Sequence, residues 1–144
     1  MTKQEAIFGP FLALILWTMV VWIFMYYKRI PFIKKNMKKE KVKEMLNPVF
    51  FQQMSPPDVH NPSDNLKNLF EVPVLFYALA LFLFVTRQVD GIYVFASWVF
   101  FIFRVLHSVI HCSYNNVPHR FLTYFISCAA VAFMGVRASV AYFI

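Results

Sequence analysis

The chain has 144 residues, 60% of them apolar, with 18 phenylalanines, three glycines and a mean hydropathy of +0.56. An ordinary soluble domain is nearer half apolar. At roughly 20 residues per bilayer-spanning helix, four spans take about 80 residues and leave a modest remainder for loops. The apolar content excludes disorder, and two cysteines are too few for a disulfide scaffold. The net charge of +7 does not point to nucleic acid, because eight of the 14 Lys and Arg lie between Lys28 and Lys43, directly after an apolar stretch. Charge placed there reads as a membrane flank.

The first expected span covers residues 6–27, about 33 Å of helix and enough to cross a hydrocarbon core. A cleaved signal peptide is the competing reading, but the stretch is long, Lys3 and Glu5 both stand at its start, and no small-x-small site precedes the basic run. Residues 28–62 form the main loop, where Pro31, Pro48, Pro56, Pro57 and Pro62 oppose one long helix. The positive-inside rule puts this loop in the cytoplasm and the N-terminus outside. Within it, Lys34 to Leu46 reads equally as a short basic helix lying on anionic lipid head groups or as a solvated charge run. Asn61-Pro62-Ser63-Asp64 carries a helix-start signature, with Asn61 or Ser63 as N-cap. Further spans are expected at about 68–86, 92–110 and 121–140, the second and third joined by the tight turn Thr86 to Gly91. The expected architecture is all-α: a single four-span integral membrane bundle over residues 1–144, with both termini outside.

Ionisable residues inside spans are costly and usually face a bundle interior or a wet cavity. On the second helix Asp64, Asn68 and Glu71 fall within about 60° of one another at 100° per residue. On the third, Ser97, Arg104, His107, Ser108 and His111 share a face, and on the fourth His119 and Arg120 are followed by Tyr124 and Ser127. Arg104 near a span centre costs about 2.5–3.5 kcal/mol, which twelve apolar residues at about 0.4 kcal/mol each repay with little margin. The simplest expectation is an ion pair between Arg104 and Glu71, and the sharper one an anion-binding cleft open to the cytoplasm. A metal held by His107, His111 and Glu71 is disfavoured by the adjacent Arg104, and no metal is expected. Cys112 reads as a reactive thiol near Arg120 or His111, or more simply as a free structural cysteine. Cys128, on a stripe with Ala132, Gly135 and Ser139, reads as helix packing.

Three motifs combine in order: Asn68-Leu69-Phe70-Glu71 entering the second span with Pro73 close behind, Arg104-Val105-Leu106-His107 in the third, and Arg120 opening the fourth. In this the chain resembles the membrane-associated proteins in eicosanoid and glutathione metabolism, the MAPEG family, over nearly its whole length. The resemblance implies a homotrimer with glutathione as co-substrate, held between protomers near the cytoplasmic face. Family members include glutathione transferases and peroxidases, leukotriene and prostaglandin synthases, and a lipid-binding protein without catalysis. By motif, Asn68 and Glu71 would contact the tripeptide backbone, Arg104 would stabilise the site, Arg120 would hold the sulfur as thiolate, and His107 would be structural. Two positions depart from the family pattern: Asp64 stands where many catalytic members have arginine, and His111 where many have tyrosine. Histidine can still help a thiolate, and Tyr114, one turn further, could substitute. The implied function is a membrane-embedded, glutathione-dependent transferase or peroxidase with a lipophilic substrate, catalytic groups Arg120 and His111, and a place in a bacterial inner membrane. The alternative is a non-catalytic lipid-binding or scaffolding protein of the same fold, which Asp64 and His111 favour.

Overall fold

The computed structural model describes residues 4–36 and 47–144. Among these the chain is helical throughout: a 3-10 turn at Glu5–Ile7, then α1 (Phe8–Asn36), α2 (Pro48–Met54), α3 (Pro57–Leu69), α4 (Val72–Val85), α5 (Gly91–Cys112) and α6 (Val117–Phe143). Of the expected basic helix, Lys34 to Asn36 continue α1, and positions 37–46 lie outside the described residues.

Pro31 does not end α1 but lies inside it. A proline in mid-helix removes one backbone hydrogen bond, and here Pro31 is exposed on the flank of a helix that is otherwise continuous. At 29 residues α1 is about 44 Å long, well beyond the roughly 30 Å of a hydrocarbon core, so its basic end projects from the apolar layer. There it packs on the loop helices: Lys28 Nζ lies 3.5 Å from Asp58, and the Arg29 guanidinium stacks 4.3 Å over the Phe51 ring. α2 starts where the Asn47 side chain accepts from the backbone of Val49 and Phe50, with Pro48 in the first turn. α3 begins at Pro57, one turn earlier than the Asn61–Asp64 signature suggests, because Pro57 fills the first helical position and Asp58 sits in the first turn. Asn61 and Pro62 are therefore buried helix-interior residues, and much of the expected 28–62 loop is helix.

The second span is broken. α3 closes with Phe70 N donating to Lys67 O, and Glu71 (φ −95°, ψ −97°) leaves helical geometry before Pro73 restarts the chain as α4. Among the described residues four helical units are long and apolar enough to cross a membrane: Glu5–Asn36, Pro57–Val85, Gly91–Cys112 and Val117–Phe143. Their shared core includes Leu14, Val21, Phe76, Leu83, Phe100 and Met134, with the Phe76 and Phe100 rings 4.7 Å apart. Large apolar side chains such as Leu16, Ile23, Leu75 and Phe95 are exposed on the outside. Such a surface suits lipid or another protein, not water.

The bundle is stapled at the end away from the basic loop. Gln4 exchanges two hydrogen bonds with the Val89 backbone, at 3.1 and 3.2 Å. Asp90 caps α5 by accepting from Tyr93 N at 3.0 Å and takes both terminal nitrogens of Arg137 at 2.9 and 2.5 Å. The Arg137 guanidinium lies 4.3 Å over the Tyr93 ring. Gln4 and Arg137 thus both sit at the end that carries the 86–90 turn.

Candidate functional site

The site forms at the basic end, where α5 meets the start of α6. On α5, Arg104, His107, Ser108 and His111 recur at helical spacing and are all buried. α6 starts sharply because Asn116 accepts from His119 N at 3.1 Å and Pro118 sits in the first turn, which places Arg120, Phe121 and Tyr124 in its first two turns. The connecting turn depends on Asn115, whose φ of 47° is a left-handed conformation that asparagine tolerates. That conformation lets Asn115 N reach Ile110 O at 2.8 Å and aims its side chain at two partners. Its Oδ1 accepts from Arg120 Nη1 at 2.8 Å, and its Nδ2 donates to Asn61 Oδ1 at 3.2 Å. Asn115 therefore ties Arg120 to α3.

A cleft of about 240 Å³ opens here, lined by Asn68, His107, His111, Arg120 and Tyr124, with Val117 and Phe121 completing the wall. His107 Nδ1 lies 3.0 Å from the carbonyl oxygen of Arg120. A carbonyl only accepts, so Nδ1 carries the hydrogen in this contact. His107 Nε2 and His111 Nδ1 are both buried with no partner. The His107 ring lies 5.6 Å from His111 and 5.5 Å from Tyr124, centroid to centroid.

The structure thus brings Asn68, His107, His111 and Arg120 to one cleft and leaves three other expected residues off its wall. Tyr114 is exposed, its hydroxyl 3.2 Å from His119 Nδ1. Glu71 is exposed at the break between α3 and α4. Arg104 is completely buried behind Tyr124, its guanidinium 4.5 Å over that ring and its Nη2 3.9 Å from Cys128 Sγ. Among the described residues no carboxylate lies within 4.0 Å of Arg104, so the expected Arg104–Glu71 ion pair is not made within the protomer. The rotation count behind that expectation assumes one unbroken helix through Glu71, and the break removes the register. Asp64 is not on the cleft wall and pairs with Lys67 at 2.9 Å and Gln52 at 3.2 Å. Tyr124 and Asn115 also belong to the site: Tyr124 is legible from its spacing after Arg120, whereas Asn115 carries no signal beyond being an asparagine in a turn.

The sequence model of the MAPEG family matches residues 7–140, and the chain belongs to that family. The family includes glutathione-dependent transferases and peroxidases as well as non-catalytic members. No curated protein and no solved structure matches the chain. The four membrane-length units and the family together make this an all-helical, multi-pass membrane protein set in a lipid bilayer.

Proposed function

We propose that the protein is a membrane-embedded glutathione-dependent transferase or peroxidase in which Arg120 holds the thiolate of glutathione against a lipophilic substrate. The observation that carries this reading is the convergence of the Arg120 guanidinium, the Asn68 amide and two imidazoles on one cleft. That donor set fits a substrate with carboxylates, peptide groups and a thiol. A cation beside a sulfur favours its thiolate, the attacking form. One Arg120 nitrogen is committed to Asn115, which fixes the plane of the guanidinium and leaves its other donors for a ligand. Asn68 supplies an amide to the tripeptide backbone, and His111 a ring nitrogen beside the sulfur. Val117 and Phe121 give the cleft an apolar side, through which an electrophile or hydroperoxide would arrive from the bilayer.

The cleft of about 240 Å³ falls below the roughly 300–1,000 Å³ of ordinary small-molecule pockets. A tripeptide would project from one protomer, which supports a homotrimer with glutathione shared between neighbours. Glu71, exposed beside the exposed Phe70, would then serve across that interface. With the basic loop on the cytoplasmic side of a bacterial inner membrane and against anionic head groups, the cleft would open toward cytoplasmic glutathione.

The non-catalytic lipid-binding or scaffolding reading is favoured by one observation. Asp64 is committed to Lys67 and Gln52 and is not on the cleft wall. Titrating the detergent-solubilised protein with glutathione, following heat and thiolate absorbance together, separates the two readings. Saturable binding with thiolate formation is expected, with the thiolate lost in Arg120→Ala. No binding up to millimolar glutathione would overturn the enzyme reading in favour of the alternative.

A further inference from the structure

Charged residues at the basic end that do not line the cleft gather around a separate cavity. Where α1 leaves the apolar layer, α1, α2 and α3 border a space of about 410 Å³ lined by Arg29, His60, Ser63, Asp64 and Lys67 beside the ring of Phe51. Arg29 is half-buried and its guanidinium stacks 4.3 Å over Phe51, but among the described residues it has neither an ion pair nor a hydrogen bond. Stacking on the ring orients the guanidinium plane and leaves its N–H donors free. His60 Nδ1 donates to Ser55 O at 3.0 Å, so Nε2 is uncommitted. Each oxygen of Asp64 already holds a partner, Lys67 at 2.9 Å on one and Gln52 at 3.2 Å on the other. Arg29 and Lys67 against Asp64 leave the cavity with one positive charge and no unpartnered carboxylate oxygen. An apolar groove lies on the same stretch of α1, about 370 Å³ between Ile23, Tyr26, Tyr27, Ile30 and Pro31. Tyr26 and Tyr27 are exposed there, at the depth where aromatic side chains line a membrane interface. An anion-binding wall and a lipid-facing groove are thus built on neighbouring residues of one helix at head-group level.

We propose that this cavity is a built site for one anionic glycerophospholipid, whose phosphodiester sits on the Arg29 guanidinium and Lys67 and whose acyl chain follows the groove from Ile30 to Ile23. A phosphodiester carries a single negative charge, which balances the cavity, and its paired oxygens match the planar fork of an arginine. His60 Nε2 and the Ser63 hydroxyl suit the hydroxyl groups of an uncharged head such as glycerol. The ammonium of a zwitterionic lipid would instead bring a second positive charge to a place with no free carboxylate. Such a site differs from the diffuse attraction of a basic run for anionic head groups, which depends on net charge and not on which cation supplies it. Neither Arg29 nor Lys67 lines the Arg120 cleft, so the lipid site stands or falls apart from the glutathione reading.

The test exposes the full detergent-solubilised protein to micelles carrying dioleoyl phosphatidylglycerol or dioleoyl phosphatidylcholine and counts the lipids retained by native mass spectrometry. Expected is a single phosphatidylglycerol held per chain, about tenfold more tightly than phosphatidylcholine, in keeping with a charge-assisted pair at a half-buried arginine. Retention should fall about tenfold in Arg29→Gln and by a smaller factor in Arg29→Lys, which keeps the charge and loses the fork. Lys35→Gln removes the same charge from an exposed position on α1 outside the cavity and should leave retention unchanged. Equal weakening by Arg29→Gln and Lys35→Gln would show diffuse attraction and overturn the site. Equal retention of the two lipids would overturn it as well, and that comparison uses the unmodified protein, so it holds even if an Arg29 variant fails to fold. Displacement of the bound lipid by millimolar inorganic phosphate would reveal a site for a soluble anion and overturn the lipid assignment.

Discussion

Replacing Asp90 tests the staple that closes the far end of the bundle, because two functions of this carboxylate can be removed separately. Its Oδ1 caps α5 through Tyr93 N at 3.0 Å, and both oxygens receive Arg137. Losing an N-cap costs typically about 1 kcal/mol. The side chains of Arg137 and Asp90 are 33% and 42% exposed, so the ion pair is screened and is worth at most about 1 kcal/mol despite its bidentate geometry. Asp90→Ala should therefore lose about 2 kcal/mol, and Asp90→Asn, which keeps a cap acceptor, about 1 kcal/mol. The pair also sets a pH dependence. The donated bonds of Arg137 hold the Asp90 carboxyl down to about 2, from an ordinary value of 3.8. A carboxyl lowered by folding contributes stability that is fully present above its unfolded value and is lost as pH falls through its folded value. The native protein should thus lose about 1 kcal/mol relative to Asp90→Asn between roughly pH 4 and pH 2, after discounting for exposure. The assay is chemical denaturation in detergent micelles, with a double-mutant cycle through Arg137→Gln. A coupling energy of zero, or identical losses for Asp90→Asn and Asp90→Ala, would refute this account of the staple.

Other consequences concern the site. Asn115→Ala should lower glutathione thiolate absorbance several-fold by freeing Arg120, and should also carry the roughly 1 kcal/mol cost of a left-handed alanine. Asn115→Gly should keep the low thiolate signal while recovering stability, and an unchanged signal in both would show that Arg120 needs no anchor. His107→Phe removes the donor to the Arg120 carbonyl, which keeps Thr123 Oγ1 at 3.0 Å as a second partner. The loss of stability should therefore sit near the low end for a hydrogen bond, about 0.5 kcal/mol. A loss above about 3 kcal/mol would show that more than this bond is involved. Glu71→Gln should leave the folded protomer intact but reduce the trimer fraction seen by light scattering in detergent. An unchanged trimer would remove Glu71 from the interface.

The one-dimensional pattern was sufficient wherever a single element decided the outcome. Long apolar stretches interrupted by polar turns specify helices that satisfy their own backbone in lipid, so the all-α membrane bundle follows from composition and segment length. The buried stripe of Arg104, His107 and His111 is equally legible, because 3.6-residue periodicity within one helix is a local property. So is Arg120, placed by the Asn116 cap and Pro118 at the start of α6.

What the tertiary structure decided was every relation between elements. The proline at position 31 does not by itself end α1, which runs on to Asn36 with Pro31 exposed on its flank. The start of α3 depends on a competition between two sets of proline and cap residues a turn apart. Arg104 and Glu71 do not come within ion-pair distance across the break at Glu71, and Arg104 Nη2 instead lies 3.9 Å from a sulfur 24 residues away. The Asp90–Arg137 staple joins residues 47 apart, and the Asn61–Asn115–Arg120 chain links α3, a turn and α6. Periodicity assigns a residue to a face of its own helix. Which atoms meet across faces is set by how helices rotate, break and pack against one another, and that is a property of the whole fold.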